Sequence, residues 1–250
     1  MLAAGAYARC RVRTCLALDL GSSTVRLWSP ALGAVVSEPA VLARPRTGRH
    51  LTGQSALDAY AVAGTPLTWP VRDGVVRDFF ACVHLVRLLT AGIALPDPTG
   101  PVLVGVPATA TLRQRNVLVS AVRRAVGGRV TAVEEPLAAA LACRPGPRGG
   151  DLVAVDIGSG RTEVARIADG SVAAAERVGD NPVDPIPAIA ESVRRLGGRA
   201  DRRRRLLLTG GGAAAPGLAA RLAALTGRSV TVPTDPAMAT LTGLRLLLTG

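Results

Sequence analysis

The sequence contains no lysine. Its 30 basic residues are all arginine, set against 18 acids, for a net charge of +12 and a pI of about 11.3. An arginine-only, alanine-rich composition is typical of a very GC-rich genome, so part of the basicity is assigned to codon bias. The rest would attract an acidic partner, anionic lipid or nucleic acid, although a solvated basic surface is the simpler reading. Aromatic residues are also scarce, at 2%. None is interleaved with the arginines, which argues against a stacking platform for single-stranded nucleic acid. In a chain that is 48% hydrophobic, the core must therefore be built from Leu, Val and Ala. The four cysteines, Cys10, Cys15, Cys82 and Cys143, have no zinc-site spacing and read as reduced cytosolic thiols, mostly core filler. No apolar run approaches the ~20 residues that a membrane-spanning helix needs. The first residues are too short and too early in charge for a signal peptide. Leu2, Tyr7 and Val12 among Arg9, Arg11 and Arg13 offer a weak membrane-surface contact, and a frayed tail is the expectation.

What the chain does have is glycine in two telling places. Leu152 to Ile167 reads LVAVDIGSGRTEVARI: an apolar strand ending at Asp156, a turn through Gly158, Ser159 and Gly160, and a second apolar strand. Glycine at such a tip lets backbone N–H groups approach a ligand closely, and consecutive N–H groups form a concavity suited to phosphate oxygens. A carboxylate at the strand end can hold a hydrated Mg²⁺. Alone, the pattern is equally that of a plain tight hairpin. It occurs twice, however. Leu16 to Trp28 reads LALDLGSSTVRLW, with Asp19, Gly21, Ser22 and Ser23 in the same places. Two such hairpins roughly 140 residues apart point to two related halves that serve one nucleotide.

In chain order, strands alternate with helices, which makes an α/β protein. Val35 to Ala43 reads as one strand, Ser55 to Val62 as a short helix, and Pro66 and Pro70 as a loop, followed by PVRDGVVRDF. Phe79 to Leu89 has helical spacing. Pro96 to Pro101 is a linker. Val102 to Val106 and Val130 to Val133 are strands around a helix capped by Thr109 or Thr111, and Leu137 to Cys143 is an alanine-rich helix. The Pro/Gly-rich Arg144 to Gly150 is a natural boundary. Beyond the second hairpin, Ser171 to Val178 is a strand, Asn181 to Pro187 a loop and Ile189 to Leu196 a helix. Leu206 to Leu208 is a buried strand that turns through Gly210, Gly211 and Gly212 into a helix over Leu218 to Leu225. Val230 to Val232 is a strand and Pro236 to Leu248 is mostly helical.

The order of these motifs resembles the superfamily of actin, Hsp70 and sugar-kinase ATPases. Within it the chain is most similar to the MreB-type bacterial actins, the Mbl branch included. The resemblance rests on LALDLGSSTV, SEPAVLA, PVRDGVVRDF, VGVPATATLRQRNVLVSAVRRA leading into VEEPLAAAL, VAVDIGSGRTEVARI and LLLTGGGAAAPGLAARLAALTG. It implies an actin-like ATPase fold of two related, ribonuclease H-like halves that bind ATP and Mg²⁺ between them. Carried over residue by residue, it makes Asp19 and Asp156 the metal-associated acids. Gly21, Ser22 and Ser23 form the first phosphate loop, and Gly158, Ser159, Gly160 and Thr162 the second. Glu135 becomes the acid that positions the attacking water, and Gly210, Gly211 and Gly212 become the rest for the adenosine. These parts suffice for phosphoryl chemistry, which needs positioning and charge neutralisation. From the residues alone, Glu135 is as well read as a helix N-terminal acid and the triple glycine as a strand-to-helix turn.

Two departures from the family pattern stand out. Ser159 and Arg161 replace the usual Gly and Thr, which narrows the loop and adds a cation beside it. The stretch from Val178 to Leu206 is far shorter than the family's, so the small subdomain of the second half is expected to be missing. Residues 1–144 are then the first half, with its small subdomain at about 32–76, and 145–250 a truncated second half. The resemblance implies a cytoskeletal protein of cell-shape or cell-wall morphogenesis, the spore wall included. It would lie in the cytoplasm or at the inner face of the membrane. Its partners would be itself or a full-length actin-like paralogue, the cell-wall synthesis machinery and an anionic membrane surface, with nucleic acid disfavoured. Weak ATPase activity is left open. The alternative is an ATP-dependent kinase or chaperone-like ATPase of the same superfamily, although no carbohydrate-site signature is present.

Overall fold

A computed structural model describes residues 15–92, 100–143, 151–179, 184–197 and 205–249. The N-terminal tail, the linker before Pro101, the boundary at Arg144 to Gly150 and much of Asn181 to Arg204 lie outside these. By its contacts the chain forms two units. The first takes the described residues up to Val106 together with Ala110–Val133 and the last turn of the chain from Leu247. The second takes Pro107–Thr109 and Glu134–Leu246.

In the first unit, β1 (Leu16–Leu20), β2 (Thr24–Trp28) and β3 (Val36–Pro39) form an antiparallel meander. β1 is buried along its whole length, as expected of a central strand covered on both faces. The chain then makes a small three-stranded sheet from β4 (Leu42–Ala43), β5 (Leu51–Thr52) and, after α1 (Gln54–Ala63), β6 (Leu67–Thr68). The expected single strand over Val35 to Ala43 is thus two strands in different sheets. The break follows Pro39, which has no N–H to give a ladder, and the Val41 N–H turns back onto the Pro39 carbonyl at 2.8 Å. PVRDGVVRDF, to which the sequence assigned no element, holds a hairpin of β7 (Val71–Arg72) and β8 (Val75–Val76). Its tip, Asp73 at φ 53° and Gly74 at φ 71°, has the left-handed backbone of the turn that matches strand twist.

α2 (Phe79–Leu89) begins at Asp78, whose carboxylate accepts the Ala81 N–H at 2.9 Å. β9 (Pro101–Val106) lies parallel to β1. α3 (Leu112–Val126) opens with a reciprocal capping box between Thr111 and Gln114, and β10 (Arg129–Glu134) closes a sheet of order β10-β9-β1-β2-β3. The core between sheet and helices holds Leu16, Leu18, Leu27, Leu85 and Val122. Cys82 is core filler here, as the sequence suggests: burial, with Asp78 nearby, pushes its thiol up to about 12.

The second unit starts with α4 (Glu135–Cys143), then β11 (Leu152–Ile157), β12 (Thr162–Ala168) and β13 (Ser171–Arg177). α5 (Ile186–Gly197) begins earlier than expected, because Pro187 is tolerated in a first helical turn and Asp184 accepts the Ile186 N–H at 3.1 Å. β14 (Arg205–Thr209), a short 3₁₀ turn at Gly211–Ala214, α6 (Leu218–Thr226), β15 (Val230–Thr231), a second 3₁₀ turn at Pro236–Met238 and α7 (Ala239–Thr249) complete it. The sheet order is β13-β12-β11-β14-β15. It repeats the order of the first sheet: an antiparallel meander whose first strand has a parallel neighbour on its other side. β11 and β14 are buried on both faces. Val153, Val155, Leu206 and Leu208 pack against α5 and α6, while Leu152, Ala154 and Leu207 pack against Leu137 and Ala140 of α4. α7 crosses α4 so closely that a Cβ at Gly243 would run into the Ala138 carbonyl.

Candidate functional site

The two glycine turns close in the same way. The Gly21 N–H donates to the Thr24 carbonyl at 3.0 Å, and the Gly158 N–H donates to the Arg161 carbonyl at 2.8 Å. A Cβ at Gly21 would stand 2.8 Å from the Thr24 oxygen, and one at Gly158 would stand 3.3 Å from the Arg161 oxygen. Closure of the turn is therefore itself a reason for glycine, independent of any ligand.

In the first unit, Asp19 is buried at the end of β1, directly across the ladder from Arg26. Arg26 Nη1 lies 3.4 Å from its Oδ2. Ser22 Oγ accepts the Gly74 N–H at 2.9 Å, which ties the turn to the tip of the β7–β8 hairpin. Ser23 is exposed, and its carbonyl accepts the Ala40 N–H at 2.9 Å.

The second unit gathers the rest. Asp156 is half-buried near the end of β11, and the Thr209 hydroxyl donates to its Oδ1 at 3.1 Å. Gly158 and Ser159 are exposed, and Gly160 and Thr162 are half-buried. Gly210 has φ +85°, and a Cβ there would meet the Ile157 carbonyl and stand 2.8 Å from Asp156 Oδ1. A Cβ on Gly212 would meet the Ile157 side chain, while Gly211 faces open space. The triple glycine is thus packed onto the end of the Asp156 strand.

Glu135, at the start of α4, is buried and paired with a cation. Arg161 Nη2 lies 3.0 Å from its Oε2, with the side chains 8% and 11% exposed. The same nitrogen is 4.0 Å from Glu163 Oε2. Glu163 is fully buried and accepts the N–H groups of Ala108 and Thr109 at 2.9 and 2.8 Å, and the Thr109 hydroxyl as well. Sequence reasoning missed both this anchor and the Arg161–Glu135 pair. Strand alternation puts Arg161 and Glu163 on one face, but nothing local announces Glu135 as the partner.

Asp19 and Asp156 offer hard carboxylate oxygens of the kind that suits Mg²⁺. Among the described residues no three His, Cys, Asp or Glu side chains cluster to enclose an ion.

A family model described as MreB/Mbl protein matches residues 13–195. The cell shape-determining protein MreB of Pasteurella multocida (strain Pm70) is 31% identical over 197 residues, covering 73% of this chain and 56% of that protein. The chain thus spans about half the length of the curated relatives it matches. Among solved structures, MreB5 of Spiroplasma citri bound to AMPPNP superposes with a TM-score of 0.81 at 16% identity, covering 94% of this chain and 96% of that one. The MamK double helical filament gives 0.73 at 19% identity, covering 93% and 98%. These likenesses carry the fold, which is that of the actin-like ATPases, as the motif order implied. With the family model covering most of its length, the chain belongs to the MreB/Mbl family.

Proposed function

We propose that this chain is an actin-like protein of cell-shape or cell-wall morphogenesis, the spore wall included, that binds ATP with Mg²⁺. The observation that carries the reading is the twin glycine hairpin, closed by the same bond in both units and set in two sheets of the same strand order. In support, the cell shape-determining MreB of Pasteurella multocida matches most of the chain, and the similar MreB5 structure holds AMPPNP. The turns at Gly21–Ser23 and Gly158–Gly160, with Thr162, would receive the phosphates through backbone N–H groups and hydroxyls. Gly210, Gly211 and Gly212 would lie under the adenosine. Asp19 and Asp156 would hold a hydrated Mg²⁺, which supplies charge neutralisation on the phosphates. Glu135 would be the carboxylate available to orient a water. We further assign the chain a truncated second half without its small subdomain, a cytoplasmic or peripheral-membrane location, and assembly with itself or a full-length paralogue beside the cell-wall machinery.

Calorimetry tests the reading. ATP should bind in the presence of Mg²⁺, with affinity reduced at least about tenfold, or ~1.4 kcal/mol, by EDTA and by Asp156→Ala. Equal affinity with Mg²⁺ and with EDTA would show the metal assignment to be wrong, and no binding at all would remove the nucleotide from the function.

A further inference from the structure

Arg161 is the residue that closes the second glycine turn, its carbonyl accepting the Gly158 N–H. In the first hairpin the equivalent place belongs to Thr24, whose side chain is short and neutral. The long cation is therefore particular to the second turn. Its side chain is almost fully buried, and its guanidinium lies against two carboxylates, Glu135 at 3.0 Å and Glu163 at 4.0 Å. Glu163 accepts the N–H groups of Ala108 and Thr109, and of these two carboxylates Glu135 is the nearer to Arg161. A carboxylate that orients water must direct a lone pair at that water. A guanidinium at hydrogen-bond distance takes up that lone pair and neutralises the charge behind it. The pair is also costly to open: separating two buried charges leaves each one uncompensated.

We propose that Arg161 is a positioning residue that locks Glu135 in an ion pair, so that a bound nucleoside triphosphate is kept intact rather than hydrolysed. This inference rests on the nucleotide-binding reading above and adds a direction to it: the chain is a holder of ATP, not a consumer. In hydrolysis a water oxygen bonds to the γ-phosphorus as its bond to the β–γ bridging oxygen breaks. The diphosphate leaves with that electron pair, and the proton of the water passes to phosphate or carboxylate. No step of this uses Arg161, whose place is on the carboxylate that would aim the water.

The test is single-turnover hydrolysis of ATP with Mg²⁺ and the full chain in excess, with ATP affinity recorded for each protein. Arg161→Thr should raise the rate on the order of 10²-fold, the lower end of what a positioned acid–base group contributes. The double variant Arg161→Thr with Glu135→Gln should lose that gain. A merely structural Arg161 would give a slower or unchanged enzyme on removal, never a faster one. No rise in Arg161→Thr, or a rise that survives without Glu135, overturns the proposal. If the variants do not fold, a crystal structure of the unaltered chain with Mg²⁺ and AMPPNP decides it. Arg161 remaining on Glu135 is the expected result, and Arg161 turned onto the terminal phosphate overturns it. Failure of the unaltered chain to bind nucleotide overturns this inference and the function together, whereas binding with unchanged hydrolysis overturns this inference alone.

Discussion

At Gly210, Gly211 and Gly212 three identical letters meet three different surroundings. Gly210 needs its left-handed backbone and its bare Cα beside Ile157 and Asp156, Gly212 needs room for the Ile157 side chain, and Gly211 borders open space. Gly212→Ala should therefore cost about 1–3 kcal/mol, the usual penalty for overpacking. Gly211→Ala should be neutral or slightly stabilising, because alanine narrows the unfolded ensemble. Urea unfolding of the two variants checks this, and equal losses would refute the packing argument. At the residue scale, what the sequence shows depends on sequence distance. The two glycine turns are visible in it because each is local, a Gly closed onto a residue three positions on. The Arg161–Glu135 pair is not, because its members stand 26 residues apart on different elements.

The elements were legible where their signals are local. α2 spans the residues that its periodicity marks, since Asp78 supplies the cap and the apolar spacing supplies the face. The β7–β8 hairpin went unread although Asp73-Gly74, flanked by Val71 and by Val75-Val76, is a strong turn signal. The contact between α5 and the edge strand β13 is not visible in sequence at all. Arg195 of α5 donates to both carboxylate oxygens of Glu176 at 3.0 and 2.6 Å. This hydrogen bonding holds the Glu176 carboxyl below its ordinary value of 4.5, outweighing the opposite push of burial. A folded-state value below the unfolded one stabilises above the unfolded pKa and is lost as pH falls through the folded one. Arg195→Ala should therefore melt earlier than the parent at pH 7, with the gap shrinking as pH drops below 4.5. The pair is largely exposed, so the gap should be small. Thermal melts across pH measure it, and a gap that widens in acid would contradict the assignment.

For the whole molecule, the two glycine hairpins point in the sequence to two related halves, but the strand order of the two sheets is not legible there, because pairing between distant strands leaves no local signal. Net charge of +12 sets the expectation for assembly. Some of the basic stretch near α5 is compensated: Arg194 pairs with Glu191 at 2.9 Å and Arg195 with Glu176. The remaining excess would repel itself if one face stacked head to tail along a filament. We expect a monomer or short oligomer at low salt without lipid or partner. Added salt should favour self-association, as screening shortens to ~10 Å at 0.1 M. Electron microscopy is the check, and long straight filaments at low salt would sink the expectation. The anchoring of Ala108 and Thr109 on Glu163 also bears on how the chain is made. The acceptor for those N–H groups is encoded 54 residues after Thr109. At about 5–20 residues per second of synthesis, it leaves the ribosome several seconds later. During that interval the turn after β9 waits for the carboxylate that accepts its N–H groups in the finished fold, so its final shape is set only after Glu163 has been translated.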